Sequence, residues 1–218
     1  MRIAQAGARL LEPVTPSKIV CIGRNYAAHA KELGNDVPDE PLIFLKPPSS
    51  LLAPGAAIVL PRASQRVEHE AEIGIVIGKL TRAVSLDDAL QAVYGITCIN
   101  DVTARDLQRK DVQFTRAKSF DTFCPVGPWI ETELALDSLV VSGRVNGELR
   151  QHAPVSDMVF SLVKLIAFIS HVMTLEAGDL IATGTPEGVG PLLAGDSAEV
   201  EVSGVGVLRN PVTVAPAG

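Results

Sequence analysis

Short apolar runs separated by glycine and proline set the rhythm of this chain. "KIVCIG" reads as a strand that Gly23 ends, and residues 25–33 follow as a helix stopped by Gly34. "NDVPDEP" is polar and proline-marked, hence a loop, whereas "LIFLK" and "AAIVL" are further short strands. Ser85 before "LDDALQAV" predicts a capped helix, and "YGITCIND" a strand leading into a helix over 103–110. Asn146-Gly147 between "LVVSGRV" and "ELRQ" signals a hairpin, because both residues tolerate positive φ. Residues 156–173 are the longest helix candidate, apolar nearly all round and therefore packed deep or set against a partner subunit. The strands "DLIATG", "SAEVEV" and "GVLRN" close the chain. Strands outnumber helices without alternating with them, so the pattern predicts a β-rich α+β domain, residues 17–218, preceded by a strand pair or arm over 1–16.

One run departs from ordinary strand patterning. In "VEHEAEIGIVIGK", residues 67–79, Glu68, Glu70 and Glu72 fall on one face, and His69, Ala71, Ile73, Ile75 and Ile77 on the other. Like charges crowded on one face repel, so a positive group is expected among them. The same three glutamates also fit the wet face of an antiparallel strand, and periodicity does not decide between the two readings. His69 reads as a packed, hydrogen-bonded histidine and is assigned no role.

Composition narrows the function. The 218 residues are 47% hydrophobic and 20% charged with net charge -6, which suits a folded domain and argues against nucleic acid, since clustered Lys and Arg are absent. Cys21, Cys98 and Cys124 have neither CxxC spacing nor even number, so they are core filler in a reducing compartment. The N-terminus lacks a signal-peptide pattern, and "MVFSLVKLIAFISHVM" is too short to span a bilayer, which predicts a cytoplasmic protein without a membrane role.

Several groups could carry chemistry. With Asp101 at the end of its strand, Glu70 and Glu72 would make a hard oxygen site for Mg²⁺ or Mn²⁺; alone, Asp101 would be a helix N-cap. His29 and Glu32 lie three apart on one helix face, as a general base and its orienting carboxylate or as a surface pair. Arg105 and Gln108 share that spacing beyond Asp101, and Lys118 would stabilise an oxyanion if held near a metal. "TGTPEGVG" lacks the ending of a phosphate loop, which disfavours nucleotides, yet its N–H groups could cradle a carboxylate.

Taken in order, "CIGRNYAAHAKELG", "PLIFLKPPSSL", "EHEAEIGIVIG", "NDVTARDLQ", "AKSFDTFCPVGPWI", "VNGELRQ", "FSLVKLIAFIS" and "LEAGDLIATGTPEGVG" resemble the fumarylacetoacetate hydrolase family, from about Lys18 to Pro211. The resemblance is to its small single-domain acylpyruvase and oxaloacetate decarboxylase branch. It implies a mixed β-roll, a homodimer, and Mg²⁺ or Mn²⁺ on Glu70, Glu72 and Asp101. It further implies a catalytic dyad of His29 and Glu32 on a lid segment, Lys118 beside the reacting oxygen, and Arg105, Gln108 and Thr185 holding a small 2-keto acid or diacid. Lys46 fits a family position of undefined role, and Glu68 lies outside the shared pattern. The implied activity is hydrolysis of an acylpyruvate, such as fumarylpyruvate or acetylpyruvate, with oxaloacetate decarboxylation alongside. The alternatives are a decarboxylase or isomerase of 2-hydroxyhepta-2,4-diene-1,7-dioate-type compounds from aromatic catabolism, and a non-enzymatic, cation-stabilised binding module.

Overall fold

The computed structural model describes residues 9–215. The architecture is β-rich α+β, with mixed sheets curled into a roll. The largest sheet has seven strands in the order Leu42–Lys46, Ile19–Gly23, Leu180–Ala182, Ala71–Ile77, Val93–Asn100, Cys124–Glu131 and Leu51–Leu52. Its pairings are antiparallel except Ile19–Gly23 on Leu180–Ala182 and Leu51–Leu52 on Cys124–Glu131. A five-stranded sheet contains the hairpin Val140–Val145 and Glu148–Pro154, with Asn146 and Gly147 at φ 54° and 79° as its turn chemistry requires. A three-stranded patch joins Gly190–Pro191, Val67–His69 and Thr103–Ala104.

The main apolar core lies between the two larger sheets and the helix Leu162–Val172. Ile73, Ile75 and Ile77 meet Leu165, Ile166 and Ile169 there, together with Val141, Val200 and Val202. A second apolar layer covers the other face of the large sheet, where Ile19, Cys21, Val76, Ile99, Cys124 and Leu180 pack together. The strand Ala71–Ile77 is thus buried throughout. Glu72 lies on the side of Val76, buried at 1% exposure, so the wet-face reading of the three glutamates fails: Glu68 and Glu70 are buried as well. All three cysteines are buried free thiols, and burial pushes Cys98 and Cys124 up to about 12.

Four expected elements differ in the structure. Residues 156–160 form no α-helix: Val155–Asp157 is a single 3-10 turn, and Asn25 captures the next amides, Val159 N–H donating to its backbone oxygen and Phe160 N–H to its Oδ1, both at 2.8 Å. Ser161 then caps the 11-residue helix Leu162–Val172. The helix expected over 103–110 begins only at Arg105, since Thr103 and Ala104 pair with Glu68 and Val67; Asp101 is therefore no N-cap. Ser85 accepts from Asp88 N–H, but the turn it closes leads only to a 3-10 helix, Ala89–Ala92. Of the arm expected over 1–16, residues 1–8 lie outside the described residues, and residues 9–16 form no strand.

Candidate active site

The register of two neighbouring strands brings the acids together. Ala71 pairs with Asn100, so the next position along sets Glu70 beside Asp101, and Asp101 N–H donates to the Glu70 carbonyl at 2.9 Å. Glu70 N–H leaves the ladder for Asn100 Oδ1 at 3.0 Å, which accounts for the break between the strands Val67–His69 and Ala71–Ile77. Side chains directly across an antiparallel pair point the same way, as do residues two apart on one strand. Glu70, Glu72 and Asp101 consequently offer one carboxylate oxygen each, all within 4.8 Å of one another.

The expected positive charge is present. Lys118, on the short helix Thr115–Lys118, places Nζ 2.7 Å from Glu70 Oε2 and 2.7 Å from Asp101 Oδ2. Lys46 Nζ holds the other Asp101 oxygen at 2.6 Å and also donates to the Val102 carbonyl. Arg105 spans Glu68, Glu70 and Gln108. Glu68 and Lys46, whose roles the sequence left undefined, are thus the outer members of one buried ion network.

The carboxylates are unequally compensated. Burial alone would raise the Glu70 carboxyl, but Lys118 and then Arg105 outweigh it and hold Glu70 well below the usual range. Among the described residues Glu72 has no cation of its own, and it accepts a 2.8 Å bond from Gly184 N–H. Burial, followed by the charges of Asp101 and Glu70, pushes Glu72 well above the ordinary glutamate range. Gly184 is required at this contact. Its φ is +99°, and an added Cβ would stand 2.7 Å from Asn25 Cβ.

His29 is buried on the helix Ala27–Glu32, with Nδ1 3.2 Å from Glu32 Oε2. The other Glu32 oxygen accepts from Gly188 N–H at 3.0 Å, which ties this helix to the loop over 183–189. Thr185 donates to the Ala71 carbonyl and accepts from Gln151 Nε2 at 2.7 Å. Of the nine predicted site residues, all but Glu32 line one cavity of about 200 Å³, and Glu32 touches it through His29. That volume suits a small metabolite better than a drug-sized ligand.

Sequence reasoning missed four contributors. Gln151, midway along the second hairpin strand, binds His69 Nδ1, Ala71 N–H, Thr185 and the Pro186 carbonyl, and so fixes the carboxylate strand to the loop over 183–189. Phe44 shares a strand face with Lys46 and lines the cavity; that period-2 relation was visible in "LIFLK". Arg24 and Arg109 also line the cavity, and nothing in their local sequence marks them.

The donor set suits a hard divalent cation. Four buried carboxylates (Glu68, Glu70, Glu72 and Asp101) face three buried cations (Lys46, Arg105 and Lys118), and the uncompensated acid is one of the three clustered oxygen donors.

The fumarylacetoacetate hydrolase C-terminal family model matches residues 18–213, and the chain belongs to this family of enzymes. It is 44% identical to the mitochondrial oxaloacetate decarboxylase of Dictyostelium discoideum, over 88% of this chain and 91% of that protein. It is 43% identical to the oxaloacetate tautomerase YisK of Bacillus subtilis, over 90% and 70%. Among solved structures it resembles a 5-carboxymethyl-2-hydroxymuconate delta-isomerase from Mycobacterium smegmatis, with 46% identity, TM-score 0.90, and coverage of 96% of this chain and 83% of that one. It also resembles the fumarylpyruvate hydrolase of Pseudomonas aeruginosa in complex with Mn²⁺ and pyruvate, with 31% identity, TM-score 0.87, and coverage of 96% and 94%.

Proposed function

We propose that this protein is a divalent-metal-dependent enzyme that cleaves the C3–C4 bond of a small acylpyruvate, giving pyruvate and a carboxylic acid. The observation that carries this reading is one cavity wall on which three carboxylates converge within 4.8 Å, with the Lys118 amine between two of them and His29 lining the same cavity. Glu70, Glu72 and Asp101 would hold Mg²⁺ or Mn²⁺, and the Mn²⁺ and pyruvate complex of the similar fumarylpyruvate hydrolase supports that assignment. When bound, such an ion supplies a Lewis acid for the carboxylate and keto oxygens of a 2-keto acid.

The protein's own groups would do the rest. With Nδ1 turned to Glu32, His29 keeps Nε2 free to take a proton from water, whose oxygen adds to the C4 carbonyl. The C3–C4 pair then leaves toward the pyruvate half, and C3 takes up a proton. Lys118 faces the negative charge that develops on the keto oxygen, while Arg105, Gln108 and Thr185 orient the substrate.

The oxaloacetate-directed relatives favour a second reading, decarboxylation or tautomerisation of oxaloacetate. It leaves the same charge on the keto oxygen and needs no activated water. A panel of oxaloacetate, acetylpyruvate, fumarylpyruvate and a hydroxyheptadienedioate, assayed with EDTA and then with Mg²⁺ or Mn²⁺, tests both readings. Metal-restored cleavage of an acylpyruvate is expected. Turnover of oxaloacetate alone would favour the second reading, and no turnover of any member would refute both.

A further inference from the structure

The loop over 183–189 cradles carboxylates that belong to the protein itself. Gly184 N–H donates to Glu72, a member of the acid cluster, and further along Gly188 N–H donates to Glu32, the partner of His29. The placement of this loop therefore sets where the dyad stands relative to the acids.

One side chain holds the loop. Gln151 is 1% exposed and its amide is fully used: Oε1 accepts from Ala71 N–H and His69 Nδ1, both at 3.0 Å, and Nε2 donates to Thr185 Oγ1 and the Pro186 carbonyl, both at 2.7 Å. These partners fix which way the amide points, because a peptide N–H can only donate and a carbonyl can only accept. Oε1 thus faces the strand between Glu70 and Glu72, and Nε2 faces the loop. Gly143 pairs with Gln151 across the hairpin, and a Cβ there would stand 3.0 Å from Gln151 Oε1 and 3.0 Å from Ala71 Cβ, so glycine leaves the room for this reach. Gly188, at φ +94°, packs so closely on the same strand that an added Cβ would run into the Arg150 carbonyl oxygen.

Gln151 stands behind the cavity wall and does not line the cavity. Its effect on chemistry runs through the loop. Glu32 accepts from His29 Nδ1 with one oxygen and from Gly188 N–H with the other. A ring held with its proton on Nδ1 keeps the Nε2 lone pair for a proton from water. Without the Nε2 donor of Gln151, the turn that carries Gly188 is released and Glu32 loses its second anchor.

Resting on the hydrolase reading above, we propose that Gln151 is a positioning residue for the His29–Glu32 dyad: by anchoring the loop through Thr185 and Pro186, it holds Glu32 where it fixes the His29 tautomer. Gln151 then supports the water-dependent reaction selectively.

The test reads the tautomer first and turnover second. Long-range proton–nitrogen NMR spectra of the neutral histidine rings, with His29 identified by its loss in His29→Ala, should show the parent ring protonated at Nδ1. In Gln151→Met that preference should be lost, as in Glu32→Ala. Gln151→Glu keeps the acceptor toward Ala71 and gives up donors to the loop; it should behave alike and serves if circular dichroism shows Gln151→Met to be unfolded. In the Mn²⁺-loaded variants, kcat for acylpyruvate cleavage should fall by about 10–100-fold with KM little changed, and oxaloacetate decarboxylation by less than about 3-fold. A parent ring protonated at Nε2, an unchanged His29 tautomer in the folded variants, or equal losses of both reactions would overturn the inference. A tautomer lost as expected, in a protein that cleaves no acylpyruvate, would instead refute the hydrolase reading and leave the positioning role standing.

Discussion

Lys118 and Asp101 form a buried ion pair, with Nζ 2.7 Å from Oδ2, and the same amine stands 2.7 Å from Glu70. The lysine therefore shares two of the three carboxylates proposed to hold the metal. In Lys118→Met, the repulsion between amine and ion is gone, and the acids are left without their neutraliser. The metal-free variant should melt lower than the parent and gain more from Mn²⁺, while turnover falls by about 10²–10³-fold, the usual loss for one oxyanion-stabilising donor. Calorimetric melting with and without Mn²⁺, together with steady-state kinetics, checks both halves.

Glu72 gives the metal-free protein a pH dependence of definite sign. Burial, then Asp101 and Glu70, raise its carboxyl above the ordinary glutamate value. A raised folded-state pKa contributes stability that is complete below the unfolded value and is lost as pH rises through the folded one. Metal binding needs the ionised carboxylate, so the melting increment from Mn²⁺ should grow over that same window. Thermal melts in EDTA and in Mn²⁺, from about pH 5 to about pH 8, measure this directly. Glu72→Gln should flatten the dependence, and an increment that shrinks with rising pH would contradict the assignment.

His29 and Glu32 separate the two candidate chemistries. Only hydrolysis requires a proton taken from water, so His29→Ala should lower acylpyruvate cleavage by about 10²–10⁴-fold while depressing oxaloacetate decarboxylation much less. Glu32→Gln should act in the same direction more weakly, because it keeps the geometry and removes the charge. Parallel rate measurements on both substrates decide the matter; equal losses would remove His29 from the role of base.

Gly184 links backbone conformation to the acid cluster. Gly184→Ala forces a Cβ into Asn25 at φ +99° and disturbs the only side-chain hydrogen bond of Glu72 among the described residues. The expected cost is about 1–3 kcal/mol of stability, with weakened metal binding. Denaturant unfolding and Mn²⁺ titration of the variant would show both effects.

Much of this site could be read in the chain because its geometry is local. Strand pleat alone sets Glu70 and Glu72 on one side, and helical spacing sets His29 by Glu32 and Arg105 by Gln108. The Asn146-Gly147 turn was legible for the same reason. What escaped depends on distant packing. Burial of the glutamate face requires a second apolar layer built from Ile19, Cys21 and Cys124. The late start of the helix Leu162–Val172 is imposed by Asn25, more than 130 residues away in sequence. Gln151 organises the site across separations of 34 to 82 residues, which no spacing rule within one element reveals.

The proposed metal site can be tested directly in an anomalous difference map from a crystal grown with Mn²⁺. The account predicts one peak per chain, bonded to an oxygen from each of Glu70, Glu72 and Asp101 at about 2.0–2.3 Å, with Lys118 beside it. A map with no peak among these three carboxylates, or with Mn²⁺ bound only elsewhere, would contradict it.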